Sequence, residues 1–122
     1  MSMLKILIVD DSPADVRELT ELLTRRGHAV IPAGDAKAGM QAARDHQPNL
    51  VLMDIVMPGI SGFQATRQLT QATATSHIPI ILVSSKDHEV DRIWGRRQGA
   101  RGYVTKPVRE ADLYAAIDSA VG

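Results

Sequence analysis

The chain has no cysteine, which excludes both a disulfide framework and a thiolate metal site. It has no excess of either charge. Fourteen lysines and arginines stand against 14 aspartates and glutamates, so no overall basic field is available to draw in nucleic acid. No apolar run approaches the roughly 20 residues that a membrane-spanning helix needs. Met1-Ser2-Met3-Leu4-Lys5 leads straight into a strand pattern without the apolar core of a secretory leader. Linkers, repeats and low-complexity stretches are missing as well. These absences lead to a soluble, cytoplasmic protein with no nucleic-acid partner and no membrane insertion. At 122 residues the chain can bury a core unaided, and it reads as one domain over 1–122 with no output domain.

What is present is an alternation. Short apolar runs recur near positions 7, 30, 51, 81 and 103, with helical patterns between them, which predicts an α/β fold with a parallel sheet covered by helices on both faces. Ile6-Leu7-Ile8-Val9, Leu50-Val51-Leu52-Met53 and Ile80-Ile81-Leu82-Val83 are uninterrupted by polar residues, as strands buried on both sides should be. Pro32, which cannot donate to a ladder, makes 29–33 an edge strand. Gly102-Tyr103-Val104-Thr105, short and half polar, suits the other edge.

Ser12 is the expected cap of the first helix, with Pro13 at its first position and Asp15 three residues on. Its apolar face is Val16, Leu19, Leu22 and Leu23, and Gly27 ends it. Asp35 caps a second helix with a small-residue face of Ala38, Ala42 and Ala43. A third runs from about Ser61 to Thr70. The fourth carries Val90, Ile93 and Trp94 and stops at Gly99. The fifth carries Leu113, Ala116, Ile117 and Ala120.

In an open parallel sheet, ligands bind beyond the carboxyl ends of the strands, where strand order reverses. Asp10 and Asp11 follow the first strand, and Asp54 follows the third. With the Pro32 strand at an edge, these two strands are central neighbours and the three acids meet. Two carboxylates about 4 Å apart repel by about 1 kcal/mol in water and about 4 kcal/mol at an effective dielectric of 20. A proton or a cation must compensate, and for a cation an all-oxygen, hydrated ligand set favours Mg2+, with Mn2+ as its substitute. The plainer reading, in which Asp10 or Asp11 only caps a helix, leaves Asp54 unexplained and duplicates Ser12.

Asp54 opens the loop Ile55-Val56-Met57-Pro58-Gly59, where a carboxylate beside a metal can attack phosphorus and become an acyl phosphate. Lys106 offers a mobile point charge for a phosphoryl oxygen. A lone lysine would ordinarily be solvated surface, but Pro107 follows it, and a cis Lys106–Pro107 bond would turn the lysine over the sheet edge. Ser84, at the end of the fourth strand, could donate a hydroxyl hydrogen bond to the same group.

Asp10-Asp11, Asp54, Ser84 and Lys106-Pro107, with Met57-Pro58-Gly59-Ile60-Ser61-Gly62 and Gly99-Ala100-Arg101-Gly102-Tyr103, resemble the receiver domains of response regulators, the phosphoacceptors of two-component signalling. The resemblance covers the whole chain in order. It implies a flavodoxin-like, doubly wound sheet of order 2-1-3-4-5 and phosphotransfer from a histidine kinase to Asp54. It also implies a metal held by Asp11 directly, by Asp10 through water, and by Asp54 and the backbone carbonyl of Val56. Ser84 and Tyr103 look like the switch pair, the hydroxyl moving toward phosphate as the ring turns inward. By the same resemblance the protein is not an enzyme acting on an external substrate; it promotes only its own phosphorylation and dephosphorylation. Val56 and Lys86, two residues after Asp54 and Ser84, are less typical, and an altered acyl-phosphate lifetime is expected from them.

Ending after the fifth helix, the chain resembles stand-alone, chemotaxis-type receivers, which work by binding a partner. Asp91-Arg92-Ile93-Trp94-Gly95-Arg96-Arg97-Gln98-Gly99-Ala100 narrows the likeness to regulators of twitching motility through type IV pili, served by a CheA-like histidine kinase. Arg92, Arg96, Arg97, Arg101 and Arg109 are expected to gather positive charge on the helix 4, strand 5 and helix 5 face, either as a solvated surface or as the dock for an acidic output target. Trp94 is expected to be partly buried. Rival readings fit less well. Asp10-Asp11 would repel the phosphate of a flavin carrier, and a haloacid-type phosphatase needs an acid two residues after Asp10, where Ser12 stands. A degenerate receiver acting only as an interaction module remains the alternative.

Overall fold

A computed structural model of the protein describes residues 3–122. Ten elements alternate without exception: β1 (Lys5–Val9), α1 (Pro13–Arg25), β2 (Ala29–Ala33), α2 (Ala36–His46), β3 (Leu50–Met53), α3 (Gly62–Gln71), β4 (Ile80–Ser84), α4 (Glu89–Arg97), β5 (Gly102–Thr105) and α5 (Glu110–Val121). The strands form one parallel sheet of order β2-β1-β3-β4-β5. Both expected edge strands are edges, and the three uninterrupted apolar runs are the centre.

The period-2 alternation of a strand sorts each central run between two cores. Ile6, Ile8, Leu50, Leu52, Ile81 and Val83 pack on one face with Leu19 and Leu23 of α1 and Leu113 and Ile117 of α5. Leu7, Val9, Val51, Met53, Ile80 and Leu82 pack on the other with Ala36 and Ala43 of α2 and Ala65 and Leu69 of α3. Each buried Leu or Ile contributes roughly 1.5–3 kcal/mol relative to exposure, so a polar residue at any of these positions would cost a large share of the fold's stability.

The caps follow sequence chemistry. Ser12 accepts the Asp15 N–H at 3.3 Å, Asp35 accepts the Ala38 N–H at 2.7 Å, and Ser61 with Gln64 forms a reciprocal capping box. The α2 face departs from expectation. Ala43 is buried and Ala42 packs half-buried on the core as expected, but Ala38 points to solvent and Ala36 and Gly39 complete the packed face. Gly39 decides this, because a Cβ there would sit 2.6 Å from a methyl of Val9. Its missing side chain brings the helix close to β1.

Trp94 also departs from expectation and is 48% exposed. The inward position on α4 belongs to its neighbour Gly95, which lies against Leu82, so one residue earlier the helix points away from the sheet.

Candidate functional site

The parallel register delivers the acids. Val9 pairs with Met53, so Asp10 and Asp54 leave the sheet side by side; the Asp54 N–H donates to the Val9 carbonyl at 2.9 Å and the Asp10 N–H to that of Ala33 at 3.0 Å. One carboxylate oxygen each from Asp10, Asp11 and Asp54 lies within 4.8 Å of the others. Asp10 and Asp54 are buried and Asp11 is exposed. Asp10 Oδ1 accepts the Ser12 N–H, and Asp54 Oδ1 accepts the Ile55 N–H, both at 2.9 Å. Each buried acid thus has one oxygen held by the backbone.

Across the sheet, Ser84 pairs with Thr105 and the Lys106 N–H donates to the Ser84 carbonyl at 2.9 Å, placing the lysine at the same edge. The Lys106–Pro107 peptide is cis, as the sequence suggested. The Lys106 ammonium donates to Asp10 Oδ2 at 2.9 Å and to Asp15 Oδ2 at 2.8 Å, and lies 3.6 Å from Asp54 Oδ1. The partnership with Asp15 was not among the sequence-derived site residues. Its signal was spacing alone: Asp15 stands in the first turn of α1, four residues after Asp11.

These charges perturb one another. Burial, then the Asp10 carboxylate, push the Asp54 carboxyl up to about 6, against the opposing pull of Lys106 and the Ile55 N–H. Burial disfavours the Lys106 ammonium, but hydrogen bonds to Asp15 and Asp10 outweigh it and raise its pKa above the ordinary lysine value. A paired buried acid is ordinarily shifted downward; Asp54 moves upward because the nearby carboxylates and desolvation exceed what a single lysine supplies. That imbalance, an all-oxygen donor set and an open side toward Asp11 fit a hard divalent cation. Asp10, Asp11 and Asp54 would hold it, and it would neutralise their mutual repulsion and the charge of an incoming phosphoryl group.

The remaining residues are arranged around this centre. Ser84 is buried, and its Oγ accepts the Lys86 N–H at 3.3 Å. The Val56 side chain is exposed and brings no polar group to the site. Tyr103 is half-buried, with its hydroxyl donating to the Lys86 carbonyl. Its ring packs beside α4 under the Arg92 guanidinium, 4.8 Å from the ring centre. Arg92 also donates to Thr105 Oγ1 at 2.8 Å. Arg92, Arg96 and Arg101 line one cleft with Tyr103; Arg97 and Arg109 are exposed outside it. Among the described residues, none of these five arginines forms an ion pair, whereas Arg25 and Arg26 pair with Glu110 and Asp118.

Gly62 closes the loop after Asp54. Its N–H donates to the Ile55 carbonyl at 2.8 Å, and a Cβ would collide with the Asp54 carbonyl oxygen and stand 2.8 Å from the Ile55 Cα. No flexible side chain is available to yield, so Gly62→Ala should destabilise by about 2–3 kcal/mol and weaken metal binding. Gly34→Ala, where nothing lies within 4 Å, should do neither. Paired thermal melts with a Mg2+ titration check this.

A doubly wound five-strand sheet with three acids and a lysine at its carboxyl edge defines the receiver class. A profile of the response regulator receiver domain matches residues 6–118, and the chain belongs to that family. It is 54% identical over 117 residues to protein PilH of Pseudomonas aeruginosa, covering 96% of this chain and 97% of that one. It is 35% identical over 118 residues to protein PilG of the same species, covering 97% and 87%. Other relatives are longer, the chain spanning 25% of one and 48% of another. A solved receiver domain of a sensor histidine kinase from Pseudomonas aeruginosa, with magnesium coordinated in its active-site cleft, superposes with a TM-score of 0.89 at 25% identity over 99% of both chains.

Proposed function

We propose that the protein is a stand-alone receiver, one domain over 1–122, in which Asp54 accepts a phosphoryl group from a histidine kinase. The observation that carries this is the convergence of Asp10, Asp11 and Asp54 within 4.8 Å, with the Lys106 ammonium 3.6 Å from Asp54. In the transfer, an Asp54 carboxylate oxygen forms the new P–O bond as the P–N bond of a phosphohistidine breaks. The bonding pair leaves on the imidazole, which a proton then neutralises. Asp10, Asp11, Asp54 and the Val56 carbonyl would hold Mg2+, for which Mn2+ would substitute, and the ion would supply charge neutralisation to the acceptor and the phosphoryl oxygens. Lys106 and the Ser84 hydroxyl contact those oxygens.

Ser84 and Tyr103 couple the site to the α4–β5–α5 face. Tyr103 hangs on the carbonyl of Lys86, two residues beyond Ser84, so a movement of the β4–α4 loop toward phosphate reaches the ring directly. That face, with three arginines in one cleft that form no ion pair among the described residues, suits an acidic protein target. The similarity to PilH over nearly the full chain supports a cytoplasmic role in type IV pilus twitching motility, with a CheA-like kinase as donor.

Incubation with acetyl phosphate and Mg2+, read by intact mass, tests the reading. One added phosphoryl group is expected, and none when the cation is chelated. Failure to gain one at any donor concentration would leave an interaction module in its place.

A further inference from the structure

The three acids of the metal cluster do not account for the tightest contact made by Lys106. That contact is with Asp15, at 2.8 Å, and it is the single side-chain hydrogen bond in which the Asp15 carboxylate takes part among the described residues. Asp15 is held by the helix it begins, since its own N–H donates to the Ser12 cap. It stands outside the group of carboxylates able to share an ion. The lysine is therefore drawn in two directions. Asp10 and Asp54 pull it into the cluster, while Asp15, 37% exposed at its side chain, pulls it toward the rim.

We infer that Asp15 is a positioning residue that holds the Lys106 ammonium at the edge of the site and competes with the phosphoryl group for it. Three consequences follow from the geometry. Without its rim partner, the ammonium transfers to Asp10 and Asp54, already 2.9 Å and 3.6 Å away. There it opposes a divalent cation for the same oxygens, so cation binding weakens. Once a saturating cation occupies the Asp10 and Asp54 oxygens, the ammonium no longer has to break its charge-assisted hydrogen bond to Asp15 to reach a phosphoryl oxygen on Asp54, so phosphorylation quickens. Both changes run through Lys106 and vanish without it.

This rests on Asp54 being the phosphoacceptor, and the test separates the two claims. Mg2+ affinity is measured by calorimetry, and the acetyl-phosphate reaction rate at saturating Mg2+ by intact mass. Both are read for wild type, Asp15→Asn, Asp15→Glu, Lys106→Ala and the Asp15→Asn/Lys106→Ala double variant. Asp15→Asn is expected to raise the Mg2+ dissociation constant about 3- to 10-fold and speed phosphorylation by a similar factor, since about 1.4 kcal/mol is tenfold. Asp15→Glu, which keeps the charge, should restore most of the wild-type behaviour. In the Lys106→Ala background, the added Asp15→Asn should change Mg2+ affinity less than 2-fold, the coupling a double-mutant cycle isolates. Thermal melts exclude unfolding as the cause. If wild type is phosphorylated but Asp15→Asn matches it or is slower, Asp15 does not compete for the lysine. An undiminished loss of Mg2+ affinity without Lys106 overturns the idea as well, leaving a direct field effect of the carboxylate. A wild type that takes no phosphoryl group removes this inference together with the reading beneath it.

Discussion

Asp54→Asn should take up no phosphoryl group from acetyl phosphate under conditions that fully label wild type, while keeping the fold. Asparagine retains the oxygen that accepts the Ile55 N–H at 2.9 Å and nearly the same volume, so the β3–α3 loop is preserved. What is lost is the nucleophile. An amide oxygen cannot form a stable acyl phosphate, and Asp10 and Asp11 cannot replace it. Asp10 has one oxygen on the Ser12 N–H and the other on Lys106; Asp11 is exposed and free of the lysine. Of the two buried acids, Asp54 is the one that keeps a carboxylate oxygen, Oδ2, outside every hydrogen bond among the described residues. Intact mass spectrometry reads the result, and labelling of Asp54→Asn to the wild-type extent would place the acceptor elsewhere.

The second large effect is on stability. Asp54 has a folded-state pKa of about 6 against an ordinary value of 3.8, so the folded protein binds more protons than the unfolded chain between those pH values. Its contribution is favourable below about pH 4 and is lost as pH rises through about 6, a difference of about 3 kcal/mol. In chelator, therefore, the protein should lose stability across that window, and Asp54→Asn should flatten this part of the profile and melt higher at neutral pH. Saturating Mg2+ should act in the opposite sense. A cation at 100 times its dissociation constant adds about 2.7 kcal/mol, which for a domain of this size is about 10 °C in melting temperature. Asp11→Asn should reduce that gain sharply while altering the chelated protein little, because Asp11 is exposed. Differential scanning calorimetry at several pH values, with and without Mg2+, decides the matter; a chelated protein insensitive to Asp54→Asn at neutral pH would contradict the crowding of charge.

The sheet and the acids were legible in the sequence because they are linear features. Apolar runs of four declare buried parallel strands, and an acid directly after such a run must emerge at the carboxyl edge. Pro32 and the polar β5 marked the edges for the same local reasons. Tertiary approach was harder to read. Ala38 looked like part of a small-residue face, but Gly39 takes the close position because α2 must pass over Val9. Trp94 reads in the sequence as partly buried, yet α4 is rotated so that Gly95 meets Leu82 and the indole is exposed. The Asp15 contact depends on where a flexible lysine ends after a loop 91 residues away in the chain, which no local pattern encodes.

Gly95 has a consequence beyond the rotation of its helix. It is the buried residue of α4, and the helix begins at His88 without a side-chain cap, while Val90, Ile93 and Trp94 face outward at 68%, 45% and 48% exposure. The other helices are nailed to the sheet by leucines, isoleucines or packed alanines; this one merely rests on it. Sliding or turning α4 would uncover no fully buried large side chain of its own. The part of the surface best suited to carry a message is therefore the part whose displacement the core resists least.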